Sequence, residues 1–329
     1  MYYEKKLHKI ITKLTKIINK SCLNQLESIV IAILTMSGRV TMLGISRWNT
    51  KYSYSTIERF FDKKLDWLKI NYQLIKEKLG QEVILVADET TISKSGKSTH
   101  GIDYFYSGLQ GRPIKGIQYL SFSLIDIKTE RAYPLLSKQL RRKKKKISKK
   151  IKYEKKGRPV GVKNNNSKNV RLTGLFRIVN WYINLILKVV KLPNLKHFVY
   201  DGAFGNNAGI LAAKRNGLYL ISKLKKNSAL HFKFDGEQKE KGRNRIYGDV
   251  IDYENIDEKY LKATRMDGKI QKNIYQIRAL NKKIYGDLNV VIIVARRGKK
   301  IAHQILFSTD LNQDYAKIIK YYSLKWIIF

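Results

Sequence analysis

Apolar positions recur along this chain with more than one rhythm. In the first stretch Leu7, Ile10, Ile11, Leu14, Ile17 and Ile18 fall at helical spacing with lysines between them, and Leu26, Ile29, Val30, Ile33 and Leu34 continue the pattern. Gly38-Arg39 interrupts it. Thr41 to Trp48 and Ser53 to Phe61 then read as two short helices joined by a Ser/Thr-rich turn. The spacing predicts an N-terminal helical domain over residues 1–78. Such a bundle either docks on DNA, with Arg39, Arg47, Lys51 and Arg59 available to phosphates, or is a plain packing domain.

From residue 82 the period changes to that of strands. Val83 to Ala87 is an uninterrupted apolar run that ends on Asp88, and Tyr119 to Ile127 and Ala132 to Leu140 read as an antiparallel hairpin beside it. Leu175, Ile178, Val179, Tyr182, Ile183, Ile186 and Val190 share one face of a helix over 171–191. A second apolar run, His197 to Tyr200, ends on Asp201. A helix over Asn207 to Asn216 stops at Gly217, and a strand over Leu218 to Lys223 follows. Strand, hairpin, helix, strand, helix, strand is the order of a ribonuclease-H-like α/β core, a mixed sheet with flanking helices, expected over 82–227. Residues 228–300 alternate again in Ile246 to Tyr253, Asn273 to Leu280 and Val290 to Ala295, and predict a β-rich insertion rather than part of the core. Residues 301–329 return to the core through Gln304 to Asp310 and end in a helix carrying Tyr315, Ile318, Ile319, Tyr322 and Trp326.

Charge changes the picture. The 329 residues carry 66 Lys+Arg against 26 Asp+Glu, a formal net charge of +40. Biased codon usage could enrich lysine, but it does not explain the scarcity of acids. A surface of that sign is best relieved by a polyanion, and nucleic acid is the leading partner. The excess peaks in a basic loop over 141–170, where Arg141 to Lys146 precede Lys155-Lys156-Gly157-Arg158-Pro159. Gly-Arg-Pro among lysines resembles an AT-hook, in which Arg158 would lie in a minor groove; non-specific phosphate contact by the whole loop is the plainer reading. Cys22 is the only cysteine, which excludes disulfide frameworks and thiolate zinc sites. The five histidines are scattered away from metal-ligand spacing. The start is charged rather than signal-like, and the longest apolar run near the front, Ile29 to Leu34, is far too short to span a bilayer. A soluble, cytoplasmic protein associated with the nucleoid, with no membrane partner, is expected.

Asp88 and Asp201 are the candidate chemistry. Each is a lone carboxylate at the tip of an apolar strand in a chain built to hold polyanions. Two such acids on neighbouring strands can share Mg²⁺ or Mn²⁺ and act on a phosphodiester. Taken singly, an aspartate in that position is commonly a turn or helix cap. Glu89 is set aside, because successive strand residues point to opposite faces.

These residues resemble a family. Val-Ala-Asp88-Glu-Thr-Thr is similar to the first-acid strand of DDE-type transposases of bacterial insertion sequences, in the branch with a β-strand insertion before the third acid. Tyr200-Asp201-Gly202-Ala203-Phe204-Gly205-Asn206 is similar to the second-acid block, and Tyr322 and Lys325 fall on the Tyr and Arg of the final signature helix. The resemblance implies DNA transposition by two-metal hydrolysis and strand transfer on double-stranded DNA, at element terminal inverted repeats and a target. It also implies a homodimer on DNA. Asp88 and Asp201 would be catalytic metal ligands, and Tyr322 and Lys325 would contact phosphate near the cleaved end. The third acid of the signature falls on Phe329, so the chain is expected to be truncated and inactive alone. Lys223, Lys225 and Lys226 are further phosphate contacts or a solvated basic turn. A non-catalytic nucleic-acid binder and a Mg²⁺-dependent nuclease on the same fold are the competing readings.

Overall fold

The computed structural model describes residues 2–108, 110–142, 170–298 and 300–328. The chain divides into two compact units, Met1–Leu79 and Gly80–Phe329. No helix among the described residues is long and apolar enough to cross a membrane.

The first unit is helical: α1 (Tyr2–Ile11), α2 (Lys20–Thr35), α3 (Met42–Arg47), α4 (Tyr54–Phe61) and α5 (Trp67–Ile75). Most of the side chains spaced for one helix face bury, whereas Ile10, Ile33 and Leu34 of the same pattern are exposed. Ile11, Leu14, Ile18, Leu23, Leu26, Ile29, Ile45, Ile57, Phe60 and Ile70 form one cluster. Local polar groups set the helix starts: Asn19, Thr41 and Asp66 accept the backbone N–H of Cys22, Gly44 and Lys69 respectively. Between α3 and α4, Asn49 holds the turn by accepting the Ser28 hydroxyl at 2.9 Å and the N–H groups of Lys51 and Tyr52.

The second unit is built on one mixed sheet of β1 (Val83–Ser93), β2 (Asp103–Ser107), β3 (Arg112–Asp126), β4 (Arg131–Leu140), β5 (His197–Val199), β6 (Tyr219–Lys223), β7 (Leu230–Lys233), β8 (Tyr247–Val250), β9 (Leu261–Asp267), β10 (Ile270–Asn281), β11 (Ile284–Arg297) and β12 (Lys300–Ser308). The order is β2-β3-β1-β5-β6-β12-β11-β10-β7-β8, with β4 on β3 and β9 on β10. Only β1–β5 and β5–β6 pair in parallel. This is the mixed α/β, ribonuclease-H-like arrangement expected from the sequence. The strands of 228–300 are hydrogen-bonded into the core sheet rather than standing apart from it. β12 comes last in the chain yet lies between β6 and β11 and joins the two halves.

Helices α6 (Gly174–Val189), α7 (Asn207–Lys214) and α8 (Tyr315–Leu324) cover the sheet. Strand alternation assigns each face. Ile84, Val86, Val199 and Ile221 pack with Ile318, Tyr321, Tyr322 and Leu324 of α8. The intervening residues turn the other way, toward α6: Phe122, the β3 partner of Ala87, meets Tyr182 with ring centroids 5.8 Å apart. Ile84 and Val86 are fully buried, each contributing about 1.5–3 kcal/mol by leaving water. The last helix ends at Leu324, and Lys325–Ile328 tighten into a 3₁₀ turn where the pattern predicted continued α-helix. Tightening of this kind satisfies terminal carbonyls that an α-helix leaves open.

Asp126 closes the first strand pair. It is 1% exposed, and its carboxylate accepts the Thr129 N–H at 2.7 Å, the Thr129 hydroxyl at 3.0 Å and the Gly80 N–H. Burial pushes its pKa up, but these donors outweigh burial and hold it below the ordinary carboxylate value. A carboxylate whose folded pKa is depressed contributes stability above its unfolded value, near 3.9, and loses it as the pH falls through the folded one. Asp126→Asn replaces one acceptor with an N–H₂ facing other donors. It is expected to cost about 1–3 kcal/mol in urea unfolding at neutral pH, with the gap to wild type narrowing on acidification below about pH 4. A gap that stays constant into acid contradicts this account.

Candidate active site

The site begins with backbone pairing. Leu85 and Val86 of β1 lie beside Phe198 and Val199 of β5 in parallel register. That register ends at Val86 and Val199; carried on by two residues it would set Asp88 level with Asp201, across a strand spacing of about 4.8 Å. Period-2 alternation gives both aspartates the orientation of Val86 and Val199, toward the face covered by α8. β1 runs on to Ser93, so Asp88 lies within the strand and not at its tip as the apolar run suggested, whereas β5 ends at Val199 and Asp201 follows two residues later.

Asp88 is held by two groups. Its Oδ1 accepts the Glu89 N–H at 2.8 Å, and its Oδ2 lies 3.5 Å from Lys325 Nζ. Lys325 is 2% exposed, so the ammonium is an internal counter-charge rather than a surface cation. It sits 4.5 Å from the Trp326 ring centroid and 5.8 Å from that of Tyr322. Burial raises the pKa of Asp88; Lys325 opposes this, and the nearby Asp201 charge adds to it. The two aspartates are thus close enough to interact through their charges.

Asp201 is also shaped by local structure. Its Oδ1 accepts the Ala203 N–H at 2.8 Å and caps the 3₁₀ turn Gly202–Phe204, and its carbonyl accepts the Ser222 hydroxyl at 2.6 Å. The structure thus gives Asp201 the turn-cap role that a lone aspartate commonly has. The Asp-Gly-Ala-Phe-Gly block has a steric reason at Gly205: a Cβ there would lie 2.4 Å from the Lys223 carbonyl. Phe204 is fully buried, its ring 3.9 Å from that of Tyr200.

Tyr322 projects from α8 toward the same two acids. Burial, and then the Asp201 and Asp88 charges, push its hydroxyl up to about 12. At neutral pH it is a hydrogen-bond donor, not a base. Glu89 turns to the opposite face, as strand alternation requires. It accepts the Tyr200 hydroxyl at 2.8 Å and the Gln118 amide at 2.9 Å. It nevertheless shares the electrostatics: burial raises its pKa, and the charges of Asp201 and Asp88 raise it further. The alternation that set Glu89 aside in the sequence is seen in its orientation, but sequence reasoning missed this third charge behind the two aspartates.

The donor set fits a hard divalent cation. Two carboxylates meet on one side of the sheet, and an ion such as Mg²⁺ is commonly held by one or two carboxylates, with water and substrate phosphate completing its shell. Among the described residues no group of three or more His, Cys, Asp or Glu side chains is arranged to hold a metal. The pair alone would leave a second ion with few protein ligands.

The remaining sequence candidates are dispersed. Lys223 is half-buried at the end of β6, and Lys225 is exposed beyond it. Lys223 and Lys226 line a cleft of about 630 Å³ together with Arg265 and Lys272 of β9 and β10, two cations that the sequence pattern did not single out. Arg47 and Arg59 are exposed on α3 and α4 of the first unit, and Arg59 Nε donates to the Ser55 carbonyl at 3.1 Å. Arg158 and the rest of the basic loop from Lys143 to Asn169, like Phe329, lie outside the described residues.

The Asp88–Lys325 pair makes a quantitative demand. Lys325→Met leaves a largely buried carboxylate without its counter-charge, and a loss of about 1–3 kcal/mol is expected in urea unfolding. In a double-mutant cycle with Asp88→Asn, the second change is expected to cost less in the Met background, with a coupling of at least about 0.5 kcal/mol. Strict additivity would show that the pair contributes nothing.

No curated protein matches this chain. A family model described as DDE superfamily endonuclease matches residues 14–279, a stretch that contains both Asp88 and Asp201. With most of its length matched and both Asp88 and Asp201 inside the match, the chain belongs to the DDE superfamily endonuclease family.

Proposed function

We propose that this protein cleaves and rejoins DNA as the transposase of a mobile element, acting at the element's terminal inverted repeats and on a target duplex. The observation that carries the reading is the parallel pairing of β1 with β5, which brings Asp88 and Asp201 near enough for their charges to act on each other, in a chain of net charge +40. Asp88 and Asp201 would hold Mg²⁺ or Mn²⁺. Such an ion supplies Lewis-acid stabilisation of the charge that develops on the attacked phosphate.

The protein's own groups have distinct tasks in this reading. Tyr322, kept protonated by burial and by the two acids, donates a hydrogen bond to a phosphate oxygen beside Asp88 and Asp201. Lys325 offers a second positive charge there, although as a point charge it lacks the bidentate geometry of arginine. Lys223, Lys225 and the exposed Arg47 and Arg59 supply sequence-independent phosphate contacts, as would Arg158 in the basic loop. A DNA-bound homodimer associated with the nucleoid, with the N-terminal helices docking on DNA, completes the proposal. A second reading is favoured by one specific feature. Lys325 already occupies Asp88, and no third acid joins the pair among the described residues, which suits a nucleic-acid binder with little or no chemistry of its own.

Nicking of supercoiled plasmid in Mn²⁺ separates the readings. The transposase reading expects slow, metal-dependent nicking that Asp88→Asn and Asp201→Asn each reduce by at least about 100-fold, about 2.7 kcal/mol of barrier, while salt-sensitive DNA binding persists. Binding without nicking at any metal concentration supports the second reading. Nicking that survives both substitutions overturns the assignment of these two residues.

A further inference from the structure

Beyond Asp88 and Asp201, the second unit carries a basic cleft of about 650 Å³ between the end of β4 and one face of α6. Lys138, Arg141 and Arg142 come from the strand side and Arg177, Ile178 and Trp181 from the helix side. No acidic residue lines it among the described residues. Helical spacing explains the division of α6. Val179, Tyr182, Ile183 and Ile186 are buried against the sheet, which leaves Arg177, Ile178 and Trp181 on the outer side.

Trp181 is 57% exposed, an unusual position for the largest apolar side chain. It is not free to collapse. Its ring stands at 80° to that of Tyr182, with centroids 4.6 Å apart, and Tyr182 is anchored in turn against Phe122 of β3. Arg177 lies one turn earlier on the same face, and Arg142 is set over the Phe105 ring at 5.1 Å. The structure therefore presents a braced aromatic plane flanked by four cations.

We infer that this cleft is a binding site for unpaired DNA, in which one base stacks on Trp181 while adjacent phosphates meet Arg177, Arg141 and Lys138. Two features select this occupant. Four unopposed cations call for a polyanion, and an exposed rigid indole beside them calls for a planar apolar group in register with the charges; single-stranded nucleic acid alternates the two. A base-paired duplex hides its base faces, so it could use the cations but not the indole. The chain's own segment from Lys143 to Asn169 has Glu154 as its only acid among many lysines, so its charge has the wrong sign to neutralise the cleft. The inference rests on the proposed action on DNA and adds to it a place for strands that are unpaired at or near the cleaved ends.

The test measures anisotropy of labelled oligothymidylate and of a duplex of equal length with the full chain, wild type, Trp181→Ala and Trp181→Phe. Because Trp181 is mostly exposed, these changes leave the packed core intact. Trp181→Ala is expected to weaken single-strand binding about tenfold and duplex binding less than about twofold, with Trp181→Phe keeping most of the affinity. Equal single-strand affinity of wild type and Trp181→Ala overturns the inference, as does equal loss on both DNAs. Poly-glutamate that binds the wild type as tightly as oligothymidylate, and loses as much in Trp181→Ala, overturns it in favour of an acidic-peptide site. Duplex binding without single-strand binding by the wild type overturns the cleft assignment alone. Failure of the wild type to bind either DNA overturns the proposed function together with it.

Discussion

Two carboxylates brought side by side out of bulk water repel each other, and the rest of the candidate site is arranged around that repulsion. Parallel pairing of β1 with β5 ends at Val86 and Val199, just before Asp88 and Asp201, and so leads both acids into one neighbourhood. The cost is partly offset by an ammonium supplied from α8's continuation, with Lys325 buried against Asp88, and by backbone N–H donors to both acids. A divalent cation offsets it more completely, because it places a double charge between the two groups.

The fold serves this arrangement through alternation. Residues of one parity on β1 and β5 bury against α8 and deliver Asp88 and Asp201 to that face. Residues of the other parity bury toward α6 and α7, and put Tyr200 and Glu89 in contact behind the acids. One packing decision therefore places both the charged pair in front and the hydrogen-bonded Glu89–Tyr200 pair behind. The extended half of the sheet, joined through β12, brings Arg265 and Lys272 to the cleft shared with Lys223 and Lys226.

The parts of this arrangement legible in the sequence are the local ones. An apolar run ending on a lone aspartate is visible at Val83–Asp88 and again at His197–Asp201, and helical spacing is visible in α6 and α8. Strand order is not local, which is why 228–300 read as an insertion beside the core although β12, later in the chain, stitches it into the same sheet. Lys325 illustrates the same limit. It reads as a surface cation for phosphate, yet in the fold it is buried against a carboxylate 237 residues away in the chain. No short-range pattern encodes such a pair. Trp181 escaped notice for the opposite reason: its spacing marks it as outside the helix's apolar face, but only the neighbouring β4 cations make its exposure meaningful.

A cation held here would touch Asp88 and Asp201 at once. Iron(II) bound in place of Mg²⁺ and treated with ascorbate and peroxide cuts the polypeptide next to its ligands, so the cleavage map reads the claim directly. The account predicts two sets of cuts, one within a few residues of Asp88 and one within a few residues of Asp201, both suppressed together by excess Mg²⁺ and by Asp88→Asn. Cuts near only one of the two, or at two places suppressed independently, would contradict it.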